Sequence, residues 1–254
     1  MDWHKHRLAV FGCSFTYGHG LPDCIGPDFT GPGEQPSKMG WPSHLKTRLQ
    51  FTGLDNMAVP GASNKMIADE IVNYEIKEPT VAVILWSNFE RKTIFKEELT
   101  KKNKKKLYPG ADSPRLHMMP MFIHKDHMPD SFWKGFDKKG KDKFSNLIQT
   151  YYEDYHYDYD CVYENCILIN YVHSFLESKG VKSFHLINYH LINEHKKVFN
   201  DLKINSLQAK TFRHMRDFHI DDGLDKQRYT KPHPGVKSQI HFTNFIEKWM
   251  KQCR

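Results

Sequence analysis

Four short stretches carry residue types that can perform acyl transfer once a fold brings them together: Ser14 in FGCSFTYG, Gly61 in AVPGASN, Asn88 in WSNFER and His233 in TKPHPG. A serine hydroxyl is a weak nucleophile until a base takes its proton, so Ser14 needs an imidazole from elsewhere in the chain. Of sixteen histidines, His233 is the best placed, immediately before the last helical stretch. Gly61 can present a backbone N–H with no side chain in the way, and Asn88 offers two amide protons. With the N–H of Ser14 they can form an oxyanion hole, a set of donors aimed at the oxygen that becomes negative during acyl transfer. Asn64 and Trp86, beside two of these turns, are the candidate substrate-binding residues. Plainer roles compete: Ser14 as a turn serine, Ser63 or Asn64 as a helix N-cap, and His233 closing the first turn of a helix with Pro234 at N1. Cys13 could also serve as a nucleophile. Adjacent residues at a strand end point opposite ways, however, so a cleft-facing Ser14 sends Cys13 to the core.

The elements that must position these residues can be read from periodicity. RLAVF at 7 to 11 is a short apolar run ended by Gly12, which predicts a buried strand and a turn. A proline- and glycine-rich loop follows, then a helix at about 42 to 50. LDNMA at 54 to 58 predicts a second strand, and a helix carrying Ile67, Ile71 and Tyr74 comes after it. TVAVILW, from Thr80 to Trp86, is the unbroken β-branched run expected of a strand covered on both faces. Val162, Cys166, Ile169, Val172 and Leu176 repeat with helical spacing up to Gly180, the tyrosine-rich stretch 150 to 160 opens that helix, and VKSFHLIN follows as a strand. A last helix carries Ile240, Phe245, Ile246 and Trp249. Alternating strands and helices predict an α/β fold, a three-layer α/β/α sandwich around a parallel sheet with right-handed crossovers, within one domain spanning 1 to 254. The three turns at Ser14, Gly61 and Asn88 all follow strands, and the C-terminal edge of such a sheet is where ligands bind.

This set of turns with a late histidine resembles the SGNH hydrolase superfamily, also called GDSL-like esterases and lipases, whose flavodoxin-like sheet matches the arrangement above. FGCSFT resembles its Gly-Asp-Ser block with Cys13 in place of the usual Asp. Gly61 matches its second block, Asn88 its third, although Trp86 stands where a glycine is usual, and His233 with Pro234 its last. Chains with GCSFT, PGASN and a tryptophan in the third block are similar to members encoded by bacteriophages. The resemblance implies esterase activity through Ser14 and His233. The acid three residues before the histidine is replaced by Thr230, so the orienting group is missing, displaced to Asp221, Asp222 or Asp225, or replaced by a backbone carbonyl. A chain of this fold that binds without hydrolysing is the alternative, motivated by Cys13, Trp86 and Thr230.

Composition bounds the rest. The chain has 254 residues, is 39% hydrophobic and 26% charged, and has a core-forming length. No apolar run approaches the roughly 20 residues needed to cross a bilayer. The first residues offer too few apolar positions for a signal-peptide core of about 7 to 15, which leads to a cytoplasmic expectation. Five cysteines without a Cys-x-x-Cys pair suggest reduced thiols. The formal charge is +7, but residues 91 to 143 hold 15 Lys or Arg against seven Asp or Glu, so the basicity belongs to one segment. That segment, an insertion at 92 to 145, is expected to cover the site as a lid. Its KKNKKK run with Tyr108, Phe122, Phe132, Trp133 and Phe136 has the ingredients of a nucleic-acid or other polyanion groove, though a solvated surface is the commoner use. HKDH at 124 to 127, His117, His4 and His6 lack metal-ligand spacing, and no phosphate-cradling glycine motif is present. The expected partner is a small-molecule or saccharide ester, with no cofactor and no metal; the sequence does not speak to oligomeric state.

Overall fold

The computed structural model describes residues 2–26, 29, 31–76, 79–95, 115–118, 137–188, 195–204, 207, 209–212, 215–225 and 232–253. Strands β1 (Arg7–Phe11), β2 (Leu54–Asn56), β3 (Thr80–Leu85), β6 (Lys182–Asn188) and β7 (Ala209–Phe212) alternate with helices α1 (Ser14–Tyr17), α2 (Trp41–Leu49), α3 (Asn64–Val72), α5 (Asp158–Ser178), α6 (Lys196–Asp201) and α7 (Val236–Gln252). Two further strands, β4 (Lys92–Phe95) and β5 (Arg115–Met118), pair antiparallel, and α4 (Lys138–Thr150) precedes α5. Among the described residues the main sheet has five strands in the order β2-β1-β3-β6-β7, every neighbouring pair parallel. This is the expected α/β architecture.

Alternation along the central strands produces the three layers. Leu8 and Val10 of β1, with Val81, Val83 and Leu85 of β3, pack on one side against Trp41 and Leu45 of α2 and Phe242 and Ile246 of α7. Ala9, Phe11, Ala82 and Ile84 face the other side, against Met66, Ile67 and Ile71 of α3 and Val162, Ile169 and Val172 of α5. β3 is buried throughout. An unbroken apolar run thus read correctly as a strand covered on both faces.

The chain leaves β1 for β2 on one side and returns to β3 on the other, so a crevice opens between the C-terminal ends of β1 and β3. Gly12 makes the exit turn possible, because a Cβ there would lie 2.2 Å from the Thr16 hydroxyl. Cys13 is buried in the core beside α3, as alternation requires, and Ser14 begins α1.

One detail differs from the sequence reading. The tyrosine-rich stretch forms a π-helical turn, Tyr151–Tyr155, and α5 starts at Asp158. His156 separates them with extended backbone, so the burial period of α5 starts only at Cys161. Of the insertion at 92 to 145, β4, β5 and the start of α4 are described; KKNKKK, HKDH and the aromatics Tyr108, Phe122, Phe132, Trp133 and Phe136 lie outside the described residues.

Behind β3, the Trp86 indole N–H donates to His185 Nδ1 at 3.1 Å. That assigns the ring proton to Nε2, which donates to Ser183 Oγ at 3.0 Å, and the serine hydroxyl in turn reaches His173 Nδ1 at 3.0 Å. Burial, reinforced by His173, lowers the His185 pKa to about 3. A base whose folded pKa is depressed binds more protons when unfolded, so its contribution to stability is present above the ordinary value near 6.5 and is lost as pH falls toward 3. We expect the melting temperature to drop by about 5 °C or more between pH 7 and pH 4.5, a range above most carboxylate titration. The drop should be shallower in His185→Gln, and an identical drop in that variant would contradict the assignment.

Candidate active site

Ser14 Oγ lies 2.9 Å from His233 Nε2, and His233 Nδ1 lies 2.9 Å from Asp225 Oδ2. The backbone N–H of His233 also donates to Asp225 Oδ1 at 2.9 Å. One carboxylate therefore fixes both the main chain and the ring of the same histidine. With the ring proton on Nδ1 toward the carboxylate, Nε2 is left to accept from the serine. Asp225 is 2% exposed, and a buried carboxylate requires such donors to remain charged.

The three aspartates left open by the sequence divide cleanly. Asp221 caps α7, accepting from the N–H groups of Lys237 at 3.1 Å and Ser238 at 2.8 Å. Although burial opposes it, hydrogen bonds from Ser238 and Lys237 hold its carboxyl below the usual range. Asp222 accepts from His219 at 2.6 Å and does not serve His233, which corrects its candidacy as the orienting acid. Asp225 is the acid behind the imidazole, eight residues before it where the family resemblance looks three residues before; Thr230 lies outside the described residues.

The displaced acid is held by backbone. Residues 221 to 225 run back along 233 to 235: Gly223 N–H donates to His233 O at 2.6 Å, Gly235 N–H to Asp221 O at 2.8 Å, and Asp222 bridges Pro234. Leu224 N–H donates to Gly20 O at 2.7 Å, tying this ribbon to the loop after α1. Gly20 has φ of 89°, and a Cβ there would lie 2.3 Å from Asp225 Oδ1.

Two rings enclose the imidazole. Phe15 meets it edge-on at 5.3 Å, and the His19 ring lies against it at 4.4 Å, tilted by 34°. His19 was missed in the sequence reading; its signal was its place between Gly18 and Gly20, which let backbone and ring approach the site closely. Burial, then the neighbouring His233, lowers its pKa to about 4. It is therefore neutral at pH 7 and places no charge beside the His233 ring. Nitrogen and oxygen atoms of His19, Asp225 and His233 lie within 4.8 Å of one another. Both ring nitrogens of His233 are already engaged, Nδ1 with Asp225 and Nε2 with Ser14, so in this arrangement neither is left over for an ion.

Gly61 has φ of 77°, and open space lies where its Cβ would be, the conformation that favours glycine. Asn88 is half-buried and spends one amide proton on Glu90 Oε2 at 2.9 Å, leaving the other. Ser14 N–H, at the start of a helix, has no intrahelical acceptor. Asn64 and Trp86 need correction as substrate-binding residues. The Asn64 amide accepts from Ser87 N–H at 2.7 Å and donates to Ser87 O at 3.2 Å and to Asn165 Oδ1 at 2.6 Å, fully buried. It clamps the turn after β3 to α3. Trp86 is 2% exposed and packs in the core with its N–H on His185, because a large ring at that strand end gains more from burial than from the crevice. Ser63 is the N-cap of α3.

No protein-family model and no curated protein matches the chain. Among solved structures it is similar to a carbohydrate esterase described as having an active site with divergent catalytic and non-catalytic binding functions, at 12% identity and a TM-score of 0.50, over 98% of this chain and 65% of that one. The chain thus spans about two thirds of that esterase's length. It is also similar to phospholipase A1 from Streptomyces albidoflavus NA297, at 9% identity and a TM-score of 0.47, over 98% and 99% of the two chains. At these identities the likeness concerns the fold.

Gly20→Ala should cost roughly 2 kcal/mol or more, because the new methyl meets the Asp225 carboxylate at a left-handed backbone position. Urea denaturation measures this; a loss under about 0.5 kcal/mol would mean that the carboxylate is not held where described.

Proposed function

We propose that this chain is a serine hydrolase acting on carboxylic esters, with a small acylated metabolite or an O-acetylated sugar as the substrate class. The observation that carries the reading is the continuous hydrogen-bonded path from Ser14 Oγ through the His233 ring to Asp225. In this reading His233 Nε2 removes the Ser14 proton as Oγ attacks the acyl carbon, and the carbonyl electrons move onto oxygen. The N–H groups of Ser14 and Gly61 and the Asn88 side chain receive that oxyanion. Collapse breaks the bond to the alcohol, which leaves with the proton from His233. Water, deprotonated by the same nitrogen, then attacks the acyl-serine and frees the acid and Ser14. Asp225 keeps the ring in the tautomer that accepts at Nε2 and stabilises the imidazolium, without itself taking the proton.

Support for hydrolysis over binding alone comes from the acid. The binding-only alternative drew on the missing aspartate at position 230, and Asp225 supplies a carboxylate to the imidazole from a different place in the chain. Hydrolysis of 4-nitrophenyl acetate tests the reading. Ser14→Ala and His233→Ala should each lower kcat by about 10³-fold or more, and Asp225→Asn by roughly 10²- to 10⁴-fold. Turnover by folded Ser14→Ala at the wild-type rate would overturn it.

A further inference from the structure

We infer that Glu90, His156 and Asp158 form a site for one divalent transition-metal ion of the zinc type, where the turn after β3 meets the start of α5. A carboxylate oxygen of Glu90, a carboxylate oxygen of Asp158 and a ring nitrogen of His156 all lie within 4.8 Å of one another. His156 Nε2 stands 3.4 Å from Asp158 Oδ1. That is longer than the roughly 2.7 to 2.9 Å of a charge-assisted hydrogen bond. It matches the edge, about 3.3 to 3.4 Å, of a tetrahedron whose corners lie about 2.0 to 2.1 Å from a central zinc. Two carboxylates facing one neutral imidazole carry two negative charges, which a divalent cation balances. A mixed nitrogen and oxygen set suits zinc better than magnesium or calcium, which take oxygen ligands.

The break between α4 and α5 is what brings the three together. After the π-helical turn the backbone at His156 is extended, with φ of −90° and ψ of 116°, and its side chain is only 10% exposed. The Tyr152 and Tyr151 rings lie 5.1 and 6.0 Å from the imidazole and fix its plane. Cys161 Sγ is 3.5 Å from Nδ1 and 3.9 Å from Nε2; with the ring proton on Nδ1, the nitrogen nearer the sulfur, Nε2 offers its lone pair to the ion. Glu90 is held from two sides, its Oε2 accepting from the Asn88 amide at 2.9 Å and its backbone carbonyl from the Tyr152 hydroxyl at 2.8 Å. Such outer hydrogen bonds orient ligating carboxylates. Asp158 is 47% exposed, which gives an ion its entry path and room for water at the fourth corner. The three ligands include none of Ser14, His233 and Asp225, so the inference does not rest on the hydrolase reading.

Calorimetric titration of zinc chloride into chelator-treated, dialysed protein tests the inference. Wild type should bind one zinc ion saturably at this site, and Asp158→Asn and His156→Gln should bind it at least about tenfold more weakly. Asp158→Asn changes a solvent-facing side chain, so it separates lost ligation from lost folding. Two controls should keep the wild-type affinity: His233→Ala, which removes the active-site imidazole, and the double variant His124→Ala/His127→Ala, which removes the histidines of HKDH. Saturating zinc should also raise the melting temperature of wild type and leave that of Asp158→Asn unchanged, because an ion that binds only the folded chain stabilises it. Magnesium chloride in about tenfold excess should not displace the zinc. Absence of saturable binding, unchanged affinity in folded Asp158→Asn and His156→Gln, or loss of the ion in either control would overturn the site. Displacement by magnesium would overturn the transition-metal assignment.

Discussion

A carboxylate buried as deeply as Asp225 has to find hydrogen-bond donors or give up its charge. Here two of its donors belong to one residue, the main-chain N–H and the ring N–H of His233. That double attachment sets the direction of the imidazole, the path of the chain entering α7, and the approach of the loop after α1, where Gly20 makes room for the carboxylate. Ser14 meets the far ring nitrogen because β1 ends where it does. The geometry at the crevice is thus a product of one buried charge and the backbone around it.

Around that charge the structure is arranged by burial and polar satisfaction. The two apolar layers fix the sheet, and the sheet fixes the ends of β1 and β3. Polar side chains around the turn after β3 are largely spent on bracing. Asn64, Ser63 and Asn165 brace the turn after β3 through hydrogen bonds to Ser87, Thr93 and the backbone of Phe89. Asn88 has a second amide proton beyond its bond to Glu90, and the space beside the Gly61 Cα is open. His19, neutral and buried, packs the imidazole without adding charge to it.

Much of this was legible in the amino-acid sequence because its main determinants are local. Apolar alternation and β-branched runs locate β1, β3 and β6, and Gly12 with its following serine marks the exit turn. Three features resisted. Asp225 could not be told from Asp221 and Asp222, since their division depends on an antiparallel ribbon with no periodic pattern. Asn64 and Trp86 stand beside the ligand-bearing turns in the sequence, but a buried amide or indole N–H finds its partner wherever tertiary packing supplies one, here Ser87 and His185. His19 looked like any loop histidine, and only the folded loop brings its ring onto His233.

The proposed activation of Ser14 by His233 and Asp225 can be read out chemically. Incubation with a fluorophosphonate ester, followed by peptide mass spectrometry, tests it most directly, because the reagent forms a stable adduct only with an activated nucleophile. One covalent adduct per chain, located on Ser14, is expected. Absence of an adduct in the folded protein, or an adduct on another residue with Ser14 unmodified, would contradict it.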